Sequence, residues 1–225
     1  MQRSRTSKAA VKNIILVDDH PIMRHGLAQL VRAEAGLAVA GEAGSAREGL
    51  EVVEKLKPDL AVIDLTLPDK NGLELVKDIR AMHPATQCLV LSMHDETLYG
   101  ERALRAGARG YVMKEAAADH LITAIHKVLS GGLFVSEALN LRMLEQVTGV
   151  SRNKASGMDA LTDRELEILT LIGKGVPTKN IATQLNISAR TVEAHRAHIK
   201  EKLAITDGAA LVRHAVQWVE SRSKL

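Results

Sequence analysis

The chain has 225 residues, 46% of them apolar and 25% charged, with a net charge of +3; this excludes a disordered chain and leaves room for one large or two ordinary domains. Only 2% of the residues are aromatic, so the cores must be aliphatic, and stacking on single-stranded nucleic acid is not the main business. One cysteine, Cys88, excludes an internal disulfide framework, and no apolar stretch approaches the roughly 18 residues of a membrane span, which together place the protein in the reducing cytoplasm with no membrane partner.

Residues 1–12 read as a basic tail carrying Arg3, Arg5, Lys8 and Lys12. The apolar run after it breaks at Asp18-Asp19, too short and too acidic for a signal peptide. Candidate strands then follow at Asn13 to Asp19, Leu37 to Glu42, Asp59 to Leu65, Gln87 to Met93 and Gly110 to Lys114. Each is short and almost continuously apolar, as strands covered on both faces must be. Helical stretches start near Pro21, Ser45, Gly72, Glu96 and Ala116. Pro21 suits a first helical turn, and Ser45 with Glu48 makes a capping box. Five β-α units in succession predict an α/β domain over residues 13–133, a doubly wound five-stranded parallel sheet. Cys88 lies inside the fourth strand and reads as a buried structural thiol rather than a redox sensor.

Gly131-Gly132 closes the fifth helix. Residues 134–158 read as a linker with one helix, Ser136 to Val147, and a polar, Gly- and Ser-containing stretch from Thr148 to Met158. Residues 159–225 form a small all-α domain. It opens on a second capping box, Thr162 with Glu165, and continues with helices at Thr178–Leu185, Ser188–Leu203 and Asp207 to about Glu220. Charge divides along the same boundary. Residues 151–225 carry 12 Lys and Arg against 8 Asp and Glu, whereas residues 13–150 carry 14 against 19. Only the basic second part is expected to meet phosphate backbones.

In parallel sheets of this kind, function gathers at the carboxyl ends of the strands. Those ends carry Asp18 and Asp19 after the first strand, Asp64 after the third, Ser92 on the fourth and Lys114 on the fifth. Any one of these acids reads as an exposed loop residue, but five polar groups at the ends of an apolar pattern do not. Three converging carboxylates need neutralising, and a small hard cation such as Mg2+ takes oxygen ligands of this kind. A flavin site is disfavoured, because Asp18 and Asp19 would repel its phosphate. A phosphatase of the haloacid dehalogenase type would want aspartates spaced i, i+2 rather than adjacent, and no GxxxxGK[ST] loop supports an NTPase.

Residues 13–133 resemble a receiver domain, with flavodoxin-like topology: "LVDDH", "VIDLTLPDKNGLEL", "LSMHD" and "GARGYVMK" match its pattern in order. That resemblance implies that Asp64 accepts a phosphoryl group from a sensor histidine kinase or a small acyl phosphate. It implies Mg2+ on Asp19, Asp64 and the backbone carbonyl of Thr66, with Asp18 helping through water. Lys114 would pair with the phosphoryl oxygens, and Ser92 and Tyr111 would form a switch, Tyr111 swinging inward as Ser92 moves to the phosphate. The chain would then be no enzyme beyond its own phosphorylation and dephosphorylation.

The segment from Leu161 to Leu203 resembles the LuxR-type helix-turn-helix of NarL/FixJ-class response regulators. By that resemblance Thr178 to Leu185 is the scaffold helix, Asn186-Ile187 the turn, and Ser188 to Leu203 the recognition helix in the major groove of double-stranded DNA. Periodicity agrees, since Val192, Ile199 and Leu203 share one face and Glu193, Arg196, Ala197 and Lys200 the other. Thr178, Lys179, Ser188, Arg190 and Thr191 are expected on phosphates. Glu193, Ala194, Arg196, Ala197 and Lys200 are expected at base edges, where Glu193 can accept from cytosine and Arg196 donate to guanine. His195 and His198, spaced i, i+3, invite a metal reading, but no third ligand accompanies them in sequence. The whole reads as a phosphorylation-switched regulator that binds DNA as a homodimer, its receiver covering or misorienting the recognition helix until phosphorylated. Dimerisation would use receiver surfaces and the last helix, whose Ala209, Leu211, Val212, Val216 and Val219 exceed the needs of a small core. The rivals are a signalling module acting through protein contacts and an atypical regulator that has abandoned phosphorylation.

Overall fold

The computed structural model describes residues 10–147 and 157–222. Most of the basic tail, and all of the Thr148–Met158 stretch but its last two residues, lie outside these. Two compact units divide the chain, Met1–Thr148 and Gly149–Leu225.

In the first unit, strands β1 (Lys12–Val17), β2 (Leu37–Ala43), β3 (Leu60–Ile63), β4 (Gln87–Ser92) and β5 (Gly110–Met113) form one sheet in the order β2-β1-β3-β4-β5. Every pairing is parallel. Helices α1 (Pro21–Ala33), α2 (Ala46–Leu56), α3 (Gly72–Met82), α4 (Glu96–Ala106) and α5 (Ala117–Leu129) alternate with the strands. Side chains alternate across a strand, so Ile14, Leu16, Val62, Leu89, Leu91 and Val112 reach one face. There they pack with Leu27 and Val31 of α1 and Leu121, Ile125 and Val128 of α5. The intervening Ile15, Val17, Ala61, Ile63 and Val90 are equally buried. On their side α2 comes so close that a Cβ on Gly49 would meet Val17 and Leu75 of α3. Burial on both faces explains the unbroken apolar strands. Cys88 is buried in this sheet, and burial pushes its thiol up to about 12, an inert structural group.

Local signals place the helices. Pro21 opens α1, and the side chains of Asn71 and Asp95 cap α3 and α4. At α2 the expected capping box closes differently. The Ser45 hydroxyl accepts from Glu48 N at 3.2 Å, but the Glu48 carboxylate accepts from Gly44 N at 2.9 Å rather than from Ser45. β1 sits between β2 and β3, so the chain reverses its winding there and opens a crevice at the carboxyl ends of β1 and β3.

After α5 the chain returns along the open edge of β5, where Phe134 N donates to Arg109 O at 2.9 Å and Tyr111 N to Phe134 O at 2.8 Å. Helix α6 (Glu137–Val147) then packs on α4, its Leu139 buried against Gly100.

The second unit has α7 (Asp163–Gly173), α8 (Thr178–Gln184), α9 (Ala189–Lys202) and α10 (Gly208–Arg222). Thr162 and Glu165 form the expected capping box of α7. Leu169, Ile181, Val192, Ile199, Leu211 and Ala215 fill its core, while Leu203 is only half-buried. Of the apolar residues noted on α10, Leu211 is buried, Val216 and Val219 are half-buried, and Ala209 and Val212 are exposed. Among the described residues no helix is long and apolar enough to cross a membrane.

Candidate phosphate-acceptor pocket and nucleic-acid interface

The crevice holds a buried ion triple. Lys114, on the short turn after β5, places its Nζ 2.7 Å from Asp18 Oδ2 and 2.7 Å from Asp64 Oδ2. All three side chains are 3% exposed, so the charges interact with little screening by solvent. Asp64 follows β3 directly, and its Oδ1 accepts from Thr66 N at 3.2 Å. Gly72 is what lets α3 begin over this turn, because a Cβ there would run into the Asp64 carbonyl oxygen. Burial pushes the Asp64 carboxyl up to about 6, against the opposing pull of Lys114 and with a further push from Asp18. Burial would lower the Lys114 ammonium, but Asp64 and Asp18 outweigh it and hold the group above its ordinary value.

Asp19 is partly exposed and lies beside the triple. One donor atom each from Asp18, Asp19, His20 and Asp64 falls within 4.8 Å of the others. Asp18 Oδ2 and Asp19 Oδ1 are buried without a well-directed hydrogen bond; each faces only a charged or chargeable group, Lys114 Nζ and His20 Nδ1 respectively. Converging carboxylate oxygens of this kind fit a hard divalent cation. Sequence reasoning missed His20, which accompanies the acids: its backbone N donates to Asp18 Oδ1 at 2.8 Å, and its Nδ1 lies 2.7 Å from Asp19 Oδ1. Its place directly after Asp18-Asp19 was the available signal.

Ser92 is fully buried at the end of β4, where its Oγ accepts from His94 N at 3.1 Å. The Tyr111 hydroxyl donates to the His94 carbonyl oxygen at 2.7 Å. Burial raises the Tyr111 phenol far above its ordinary value, against an opposing hydrogen bond with Ser92. The Tyr111 ring is thus buried in this structure. His94, also unforeseen, joins the pair and packs against Tyr99, ring centroids 4.7 Å apart.

In the second unit, Asn186 makes the turn between α8 and α9 in the left-handed region, φ 49°, which asparagine tolerates better than most residues. Ser188 caps α9, accepting from Thr191 N at 3.0 Å and pairing with the Thr191 hydroxyl at 2.8 Å. Lys179, Arg190, Ala194 and Ala197 are exposed, and Lys200 is half-buried. Three residues expected to face DNA instead hold one another. Arg196 Nη1 donates to Thr178 Oγ1 at 2.9 Å, Thr178 Oγ1 donates to Glu193 Oε1 at 3.1 Å, and Arg196 Nε lies 3.6 Å from Glu193 Oε2. The i, i+3 spacing of 193 and 196 brings the opposite charges together, so the Arg196 guanidinium starts from a partnered state.

The expectation that His195 and His198 lack a third ligand is corrected. Glu165, 30 residues upstream, stands beside them, and a donor atom from each of the three lies within 4.8 Å of the others. Only the packing of α7 against α9 makes them neighbours. Burial lowers the His195 imidazole below its ordinary value, against the pull of Glu165.

Comparison with known proteins agrees with both halves. A family model for the response regulator receiver domain matches residues 14–126, and one for bacterial regulatory proteins of the luxR family matches residues 159–215. The class is therefore that of two-component response regulators that bind DNA and regulate transcription. Within it, the chain belongs to the LuxR-type family of receiver-containing regulators. It is 35% identical over 204 residues to the transcriptional regulatory protein MctR of Rhizobium johnstonii, covering 90% of this chain and 92% of that protein. It is also 35% identical to the nitrate/nitrite response regulator NarL of Escherichia coli, over 85% of this chain and 89% of that one. Among solved structures, RcsB of Salmonella enterica serovar Typhimurium, bound to the rprA promoter with the phosphomimetic BeF3-, matches with a TM-score of 0.60 and 26% identity. That match covers 91% of this chain and 98% of RcsB.

Proposed function

We propose that this regulator accepts a phosphoryl group on Asp64 from a sensor histidine kinase and then binds DNA as a homodimer in the cytoplasm to control transcription. The observation that carries the reading is the buried Asp18–Lys114–Asp64 triple, with Lys114 Nζ at 2.7 Å from both carboxylates. A carboxylate oxygen of Asp64 attacks phosphorus, an O–P bond forms, and the P–N bond of the kinase phosphohistidine breaks to leave a neutral imidazole once that ring takes a proton. Lys114 follows the negative charge from the carboxylate to the phosphoryl oxygens. Asp19, Asp64 and the Thr66 carbonyl would hold Mg2+, Asp18 assisting through water. The ion, when bound, offsets charge on the phosphoryl oxygens. Ser92 and Tyr111 form the switch that responds to the new group.

On DNA, Lys179, Ser188, Arg190 and Thr191 meet phosphates, and Ala194, Ala197 and Lys200 approach base edges. Thr178, Glu193 and Arg196 must first exchange their mutual contacts for DNA. That RcsB was solved bound to a promoter in the presence of a phosphomimetic supports DNA binding by an activated receiver-containing regulator. Mass spectrometry after incubation with Mg2+ and acetyl phosphate tests the core of it: one phosphoryl group is expected on the native chain and none on Asp64→Asn. Asp19→Asn is expected to lose Mg2+ binding and phosphorylation together. Labelling retained by Asp64→Asn would refute the assignment.

A further inference from the structure

Among the described residues one other group of side chains has the composition of a metal site, and it lies in the second unit. Glu165 comes from α7, and His195 and His198 from successive turns of α9. Two imidazoles at i, i+3 lie one above the other on a helix face, and two histidines with one glutamate form a known three-ligand set for zinc.

The three are unequally committed. Glu165 is buried, and its Oε2 is used twice, accepting from Thr162 N at 2.7 Å and from Lys202 Nζ at 2.6 Å. Its Oε1 faces His198 Nδ1 at 4.0 Å. His195 Nδ1 is buried with no hydrogen-bond partner, a state that ordinarily calls for an explanation. His198 is 62% exposed and free to turn.

We propose that Glu165, His195 and His198 bind one divalent transition-metal ion of the zinc class, which ties α9 to the start of α7. Zinc–nitrogen and zinc–oxygen distances near 2.0–2.2 Å put tetrahedral donors about 3.3 Å apart. The donors, within 4.8 Å of one another, must therefore close by up to about 1.5 Å, and the Glu165–His198 pair at 4.0 Å by about 0.7 Å, with His198 exposed and unconfined by packing. Nitrogen donors set the preference. Mg2+ takes oxygen ligands and belongs to the pocket of the first unit, whereas imidazole suits zinc and its neighbours. Lys202 opposes the ion, because its ammonium shares the carboxylate. The fourth position is left to water, so the site is a clamp on the helix that carries the proposed DNA contacts.

Co2+ is the probe, added to the full-length chain without a polyhistidine tag and in excess Mg2+, and read by visible absorption. One Co2+ per chain is expected, with the intense bands of a four-coordinate nitrogen and oxygen site, displaced by Zn2+. His198→Ala, at an exposed position, is expected to lower affinity by more than about tenfold, since even indirect partners of metal ligands are worth that much. Glu165→Gln, which can still cap α7, is expected to do the same. Lys202→Met is expected to bind more tightly, which incidental binding to surface histidines would not show. His20→Ala, in the other cluster, is expected to leave the bands intact. Only weak six-coordinate bands, or bands that survive His198→Ala, or bands lost in His20→Ala, would each overturn the site. Trp218 fluorescence confirms that the second unit is folded in the variants made there, and tyrosine fluorescence does so for the first unit in His20→Ala.

Discussion

Asp64→Asn is expected to stabilise the first unit at neutral pH while abolishing phosphorylation. Burial holds the Asp64 carboxyl at about 6 against an ordinary 3.8, which corresponds to about 3 kcal/mol of cost for keeping the ionised group folded. The amide still has to be desolvated, and Lys114 loses one of its two carboxylates, so the net gain is about 1–2 kcal/mol. A carboxyl whose folded value is raised binds more protons folded than unfolded. Its cost is absent below pH 3.8, grows between 3.8 and about 6, and is complete above 6. The gain of Asp64→Asn over the native chain therefore appears at pH 7.5 and vanishes near pH 4. Urea unfolding in EDTA reads it cleanly. Both tyrosines, Tyr99 and Tyr111, are buried in the first unit, and the single tryptophan, Trp218, lies in the second. With a slope near 2 kcal/mol per molar urea, the tyrosine transition shifts by about 0.5–1 M and the tryptophan transition stays put. A tyrosine midpoint that is unchanged or lower at pH 7.5 refutes the account of a functional carboxylate held against its own burial.

Gly72→Ala drives a methyl group into the Asp64 carbonyl and is expected to cost about 1–3 kcal/mol. It also slows phosphorylation by acetyl phosphate, and an unaltered rate and stability would count against the close approach. Lys179→Ala is expected to weaken binding to all DNA sequences alike and lower the salt slope by about one, measured by fluorescence anisotropy at several salt concentrations. Glu193→Gln removes the carboxylate that holds Arg196 and Thr178, so affinity for scrambled duplexes is expected to rise; a fall instead would mean that Glu193 itself makes the decisive contact.

The fold was legible because its signals are local. Apolar runs, Pro21, the Ser45 and Thr162 caps and the Gly131-Gly132 stop all act within a few residues, and the parallel order follows from the β-α alternation. The acids of the pocket were legible for a related reason: each sits at a strand end, and topology alone brings strand ends together. What stayed hidden depends on side chains meeting across elements. Glu165 joins His195 and His198 only because α7 crosses α9. Arg196 and Thr178 come from different helices, and nothing in either segment announces that they hydrogen-bond. The Glu48 carboxylate choosing Gly44 over Ser45 turns on a reach of one residue, below what a pattern resolves.

The charge of the pocket links its geometry to its use. Three carboxylates, Asp18, Asp19 and Asp64, meet one buried ammonium, Lys114, in the crevice, with His20 beside Asp19. Burial keeps the Asp64 carboxyl high against the opposing pull of Lys114, and its neighbour Asp18 adds a further push. A divalent cation held by these acids would offset their charge and so lower the pH at which Asp64 becomes a carboxylate. The same ion would thus make the Asp64 nucleophile available and prepare the site for an anionic donor. If this coupling holds, raising Mg2+ shifts the acid limb of the phosphorylation rate to lower pH in the native chain. Asp19→Glu, with its longer reach, shifts it less. An acid limb that ignores Mg2+ would separate the ion from the ionisation of Asp64.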